Sequence, residues 1–426
     1  MKLSWTVFSK KSLQERLKFL QDYHLLNKDN QIGLEHNYTL PLSTADQMSE
    51  NVIGTLALPY ALVPDVMVDE QIYQVPFVTE EPSVVAAATF AAKIIKRSGG
   101  FKTTVHNRQM IGQVALYQVA NIEVAIKNIQ NHKQELLELA NQAHPSIVKR
   151  GGGARHLHME YLNGEAEFLI VYLTVDTQEA MGANILNTML EALKTPLEEL
   201  SGGKSLMAIL SNYATEALVT ATCEIDIRFL DRNKSKALDI AKKIVLASQF
   251  AKQDPYRAST HNKGIFNGVD AVVLATGNDW RAIEAGAHAY ASRNGTYQGL
   301  TTWSIKEASQ TLYGEITLPL PIATKGGSIG LNPTVQVSFD LLKHPTAKEL
   351  ASIIASIGLA QNFAALKALV STGIQHGHMK LQAKSLALLA GAQNTEVAPL
   401  VSQLISEKNF SLKRAQEILE DFRQKS

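Results

Sequence analysis

The stretch from Ala347 to Val370 carries small or apolar residues on nearly every helical face, and it constrains the fold more than any other part of the chain. Thr346 stands at the N-cap, Glu349 completes a capping box three residues on, and Gly373 supplies a C-terminal stop. Ile353, Ile354, Ile357, Leu359, Ala360, Phe363, Ala365 and Leu366 do not fall on one stripe, so the pattern predicts a buried central helix. A helix apolar all round must be wrapped by further layers. At 426 residues the chain is long enough to supply them. Single cores stop growing near ~250–300 residues, so two or three domains are expected.

The rest of the sequence reads as α+β. Ser12 and Glu15 form a capping box ahead of a surface helix, and Asn51 to Pro59 reads as an extended apolar segment. Gln71–Val78 predicts a strand whose proline suits a sheet edge. Glu81-Pro82 starts a helix with Pro in the first position and Val84, Val85, Ala88 and Ala92 on one face, ended by Arg97-Ser-Gly-Gly100. Between about Val105 and Leu210 the texture changes. A strand from Gln113, a charged helix over Ile122–Ala143, the glycines 151–153, a strand over Phe168–Asp176 and a helix from Gly182 predict an inserted α+β unit. Val219 to Gln336 reads as strands alternating with loops, and the residues from Gln375 on as short amphipathic helices.

Composition excludes several classes. Net charge is +1 with no basic tail, which argues against nucleic acid as a main partner. Cys223 is the only cysteine, so neither a disulfide framework nor a thiolate metal site is expected, and in Thr222-Cys-Glu-Ile it reads as strand filler. The N-terminus shows no signal-peptide pattern and no apolar run suggests a membrane span, so a cytoplasmic location is expected.

The groups able to do chemistry are few. Lys263 and Asp279 stand 16 residues apart, each read as lying in a loop beside an apolar strand, Val269–Thr276. Arg257 and Asn267 accompany the lysine. An ammonium kept charged by a carboxylate stabilises a developing oxyanion, although a lysine between Asn and Gly is commonly just a solvated loop residue. Asp279 also suits the N-cap of the helix from Trp280. Glu81, at a helix start, needs burial or a second carboxylate to act as a proton donor. His378 suits a general acid, and with His376 lacks further ligands for a metal. Asp176 to Asn184 follows a strand and opens a helix whose free amides can meet a pyrophosphate, but it is not Gly-x-Gly-x-x-Gly and does not support a Rossmann domain. Lys149-Arg150 could grip an extra phosphate or be a solvated pair.

In order along nearly the whole chain, Glu50-Asn-Val-Ile-Gly-Thr55, Glu80-Glu-Pro-Ser83, Ala180-Met-Gly-Ala-Asn184, Asp254-Pro-Tyr-Arg257 through Lys263-Gly264, Thr276-Gly-Asn-Asp279, Gly326-Gly327, Gly358-Leu-Ala-Gln-Asn362 and Gly377-His-Met379 resemble class II 3-hydroxy-3-methylglutaryl-coenzyme A reductase. The resemblance implies a discontinuous large domain (1–106 and 213–373), an inserted ferredoxin-like, non-Rossmann cofactor domain (107–212) and a C-terminal flap (374–426). It implies a homodimer with interfacial active sites. By the same resemblance Glu81, Lys263, Asp279 and His378 are catalytic, Ser83, Arg257 and Asn267 hold the acyl substrate, and Met181, Gly182, Ala183 and Asn184 bind the cofactor. His144 falls where members that use NAD carry an acidic residue, and with Arg150 close by this favours NADPH over NADH. Glu179 stands where Asp is common, and Gln382 where some members carry a second His. The implied reaction is reduction of HMG-CoA to mevalonate and CoA, with no metal. A two-electron hydroxy-acid dehydrogenase and a non-catalytic thioester-binding protein are the alternatives.

Overall fold

A computed structural model describes residues 3–371 and 374–425, the side chains of 374–381 and 425 excepted. The chain opens with α1 (Leu13–Asp22), α2 (Lys28–Glu35) and α3 (Leu42–Met48). The pair β1 (Tyr60–Val68) and β2 (Gln71–Val78) is followed by α4 (Val84–Arg97), β3 (Phe101–Val105) and β4 (Gln109–Tyr117). Next come α5 (Ile122–Asn131), α6 (Lys133–Ala143), α7 (Pro145–Lys149), β5 (Gly153–Asn163), β6 (Glu167–Asp176), α8 (Ala183–Ser201) and β7 (Lys204–Ser211). After β8 (Leu218–Asp226) run α9 (Lys234–Gln253), α10 (Pro255–Ala275), α11 (Trp280–Ala291), β9 (Thr301–Lys306) and β10 (Thr311–Pro319). The chain ends with α12 (Pro333–Leu341), α13 (Ala347–Val370), α14 (Ile374–Leu389), α15 (Asn394–Glu407) and α16 (Leu412–Lys425).

Two sheets organise these elements. The larger has the order β2-β1-β3-β8-β10-β9, with only β1 and β3 parallel. The smaller is antiparallel, in the order β5-β6-β4-β7. Pro76 lies in β2 at the edge of the large sheet, where a missing amide costs no ladder bond.

Helix α13 has the predicted span and the predicted capping box, and it is buried along almost its whole length; the expected stop at Gly373 lies outside the described residues. A cap of this kind is worth about 1 kcal/mol. The helix packs against α4, α9 and α10 and against β3, β8 and β10. An 18-residue stretch of it, with a mean hydropathy of 1.6, would suit a membrane span by length and composition, which corrects the sequence expectation; the apolar surface is instead buried inside the fold. A second core lies between the small sheet and α5, α6 and α8, and a third among α14, α15 and α16. Met181 packs against both of the first two cores.

Other expectations are corrected. Residues 219–336 hold four helices, α9 to α12, among three strands, rather than strands and loops. The predicted charged helix breaks at His132, which ends α5 and precedes α6. Pro82 is not the first helical residue: α4 starts at Val84, after Ser83. Strand β5 starts at the third of the three glycines, where none was predicted, because its alternation of polar and apolar residues is weak.

The candidate active site

Glu81 and Lys263, 182 residues apart in sequence, meet in an ion pair. Lys263 is not in a loop. It lies midway along α10, and the apolar run that follows it is the second half of the same helix. The Asp254 carboxylate accepts the Arg257 amide at 2.8 Å and Pro255 opens the first turn, so the start is well capped. Poor helix formers inside it answer to tertiary partners. Buried Asn262 donates to the Gln298 carbonyl and accepts from the Leu300 amide, both at 2.9 Å. Gly268 lets α13 approach: a Cβ there would stand 2.9 Å from Ile357 Cγ2.

Lys263 and Asn267 are one turn apart on one face of α10. Lys263 Nζ donates to Glu81 Oε2, and Asn267 Nδ2 donates to Oε1 at 3.4 Å. Both oxygens of Glu81 are therefore held from the same helix. Ser83, two residues on, has φ +76, a left-handed conformation that a residue with a Cβ rarely adopts. Such strain concentrates at functional sites. Its hydroxyl makes no capping bond to α4.

Asp279 caps α11, accepting the amides of Arg281 and Ala282 at 3.1 Å each. Its ion-pair partner is Arg281, at 3.7 Å; among the described residues no ion pair within 4 Å joins it to Lys263. Next to it, Asn278 brackets residue 323, accepting from the Ala323 amide at 2.7 Å and donating to its carbonyl at 3.0 Å. Arg257 stands in the first turn of α10, and among the described residues its guanidinium has no acidic partner within 4 Å. His378 lies outside the residues whose side chains are described.

A cavity of about 830 Å³ brings the cofactor candidates together. His144, Arg150, Met181, Gly182, Ala183 and Asn184 all line it, with Asp279, Trp280 and Lys325 to Ile329 opposite. Glu81, Ser83, Lys263 and Asn267 lie outside that lining. Gly182 precedes α8 with φ +96, and among the described residues no side chain caps the helix, so its first-turn amides are left without a side-chain acceptor there. Exposed amides and the basic groups at this mouth fit an anionic dinucleotide.

Three more groups bear on the chemistry. Arg108 donates to the Ala180 carbonyl at 3.2 Å and to the Ile322 carbonyl, clamping the turn before Gly182. No sequence signal marks it, whereas Asn278 adjoins the cap aspartate and could have been suspected. His261 is two residues from Lys263, yet burial, with the Arg257 and Lys252 charges, pushes its imidazole down to about 3. It stays neutral between Thr301 and Asn362 and is no proton donor. Cys223 is buried in β8, where burial pushes its thiol up, away from nucleophile chemistry.

Comparison with known proteins makes this arrangement that of an oxidoreductase. A family model described as hydroxymethylglutaryl-coenzyme A reductase matches residues 12–383. The chain belongs to that family, and within it to the class II type. It is 41% identical over 417 residues to the 3-hydroxy-3-methylglutaryl-coenzyme A reductase of Archaeoglobus fulgidus, covering 98% of this chain and 94% of that one. It is 35% identical over 346 residues to a probable reductase of Borreliella burgdorferi, covering 80% and 77%. The solved reductase of Streptococcus pneumoniae superposes with a TM-score of 0.87 at 67% identity, over 99% of this chain and all of that one. A structure of the class II enzyme from that organism bound to NADPH in open conformations gives 0.86 at 67% identity, over 87% of this chain and 100% of that one.

Proposed function

We propose that the chain reduces HMG-CoA to mevalonate and free CoA, using two NADPH and two protons. The observation that carries the reading is the Lys263–Glu81 pair, with Asn267 beside it. NADPH, when bound, supplies a hydride in each of two rounds. Lys263 stabilises the oxyanion that forms when the thioester carbonyl carbon accepts hydride. The resulting hemithioacetal breaks its C–S bond, and His378 protonates the leaving thiolate. After the second hydride has reached the aldehyde carbon, Glu81, having taken up one of the two protons the reaction consumes, gives it to the new alkoxide. Asp279 acts on the pair through its charge. Ser83, Arg257 and Asn267 orient the acyl group.

The free start of α8 and the cavity facing it support Met181 to Asn184 as the place of the dinucleotide, with His144 and Arg150 toward the adenosine end. The absence of a carboxylate at 144 removes repulsion against a 2′-phosphate. The two sheets and the three-helix end support the division into 1–106 with 213–373, 107–212 and 374–426. A homodimer accounts for the exposed apolar segment after α3, where Ile53 is 101% and Leu56 91% exposed.

The test follows absorbance at 340 nm with HMG-CoA and either cofactor, with released thiol titrated in parallel. Two NADPH oxidised per CoA released, and a higher kcat/KM with NADPH than NADH, are expected. One NADPH per turnover would favour the simple dehydrogenase. His378→Gln is expected to slow thioester reduction by ~10²-fold while added mevaldehyde is still reduced at near the parent rate. Equal losses in the two assays would remove His378 from thiolate protonation.

A further inference from the structure

Asp270 lies seven residues beyond Lys263 on α10, which returns it to the face that carries Lys263 and Asn267. Its carboxyl is within hydrogen-bonding reach of the Glu284 carboxyl on α11, the helix capped by Asp279. Asp270 Oδ1 is buried and, among the described residues, has no hydrogen-bond donor. Among the described residues neither acid has a Lys, Arg or His within 4 Å, so nothing cationic explains their approach. Two ionised carboxylates do not settle against each other in a partly dry setting; one must hold a proton.

We propose that Asp270 and Glu284 share a single proton, and that this bridged pair positions the helix of Lys263 against the helix capped by Asp279. Burial and the Glu284 charge hold the Asp270 carboxyl well above the ordinary carboxylate range, at about 8. The surroundings leave the pair to itself. On α11, Arg281 lies 3.7 Å from Asp279 and His288 turns Nδ1 to the Tyr297 hydroxyl at 2.8 Å; Glu315 of β10 accepts from the Tyr313 hydroxyl, and on α10 Lys263 is engaged by Glu81. Lys252 of α9 donates to the Gly299 carbonyl and Lys367 of α13 lies over the Phe90 ring. On α4, Lys96 pairs with Asp65, Arg97 covers Phe229 and Lys93 is exposed; Asp340 of α12 meets His344, and β2 has no charged residue. Below the upper titration the bridge is an O–H···O⁻ bond, among the stronger kind. Above it, like charges face each other and push α10 from α11. Asp270 and Glu284 are positioning residues, since neither touches the Glu81 carboxyl.

The folded state keeps a proton that the unfolded chain releases near 3.8, so stability falls as pH rises from about 4 to about 8 and is then level. Asp270→Asn keeps a donor toward Glu284 and removes that slope. Its functional half rests on the reductase reading, so the test has two independent readouts. Infrared spectra of the parent at pH 7 should show a protonated-carboxyl stretch that Asp270→Asn lacks, whatever the role of Lys263. In the assay, the parent kcat should drop about tenfold from pH 7 to pH 9, the ionised fraction expected for a group titrating near 8, and Asp270→Asn should flatten that limb while matching the parent at pH 7. Glu284→Gln should behave alike. A parent without the infrared band overturns the shared proton, and an unchanged alkaline limb in both variants overturns the positioning role.

Discussion

Lys263→Ala is expected to lower kcat for HMG-CoA reduction by ~10²–10³-fold or more, and to do so for mevaldehyde reduction as well, because an oxyanion forms in both rounds. The geometry makes the loss specific. Lys263 is the cation on Glu81, and Asn267 holds only the other oxygen, at 3.4 Å. Alanine leaves the carboxylate without its counter-charge and, on the proposed mechanism, the substrate oxygen without a donor. The lysine side chain is 60% exposed and packs no core, so the melting temperature should hardly move. Lys263→Arg supplies charge but a wider, planar head, and should recover only part of the rate. The check is kcat on both substrates beside a thermal melt. A variant folded like the parent and within threefold of its rate on either substrate would remove Lys263 from that step.

How much of this was legible in the chain depends on where each element finds its partners. Helix α13 announces itself locally: Thr346 and Glu349 cap it, and its all-round apolarity says that it is buried. Helix α10 misreads as loop and strand because what stabilises it is distant. Asn262 finds its partners at Gln298 and Leu300, and Gly268 is there to admit Ile357. No local pattern reports such contacts. The site divides in the same way. The turn at Gly182 is visible as a strand running into a helix, and Asp279 as a cap before Trp280. The meeting of Glu81 with Lys263 across 182 residues came from resemblance alone, as spacing carries no trace of it. Arg108 and the Asp270–Glu284 contact gave no signal, being a buried cation and an acid pair whose partners only the fold supplies.

Gly182→Ala is expected to raise the KM for NADPH at least tenfold with little change in KM for HMG-CoA, for a reason confined to one turn. At φ +96 an L side chain already costs about 1–2 kcal/mol. Here it also has nowhere to go: the added Cβ would stand 2.2 Å from Thr177 Cγ2 and 2.7 Å from Thr177 Cβ. Thr177 cannot yield cheaply, because it is wholly buried and its hydroxyl donates to the Ala180 carbonyl at 2.8 Å while Arg108 donates to it at 3.3 Å. Relief therefore moves the turn itself, and with it the amides at the start of α8. Gly202, at the other end of the same helix, gives the matched control. It too has a positive φ, +69, but nothing lies within 4 Å of its missing Cβ. Gly202→Ala should pay the backbone strain, lose a comparable few degrees in melting temperature and bind cofactor like the parent. Cofactor titration of the two variants by nicotinamide fluorescence separates strain from displacement. Equal affinities in Gly182→Ala and Gly202→Ala would mean that the dinucleotide does not rest on this helix start.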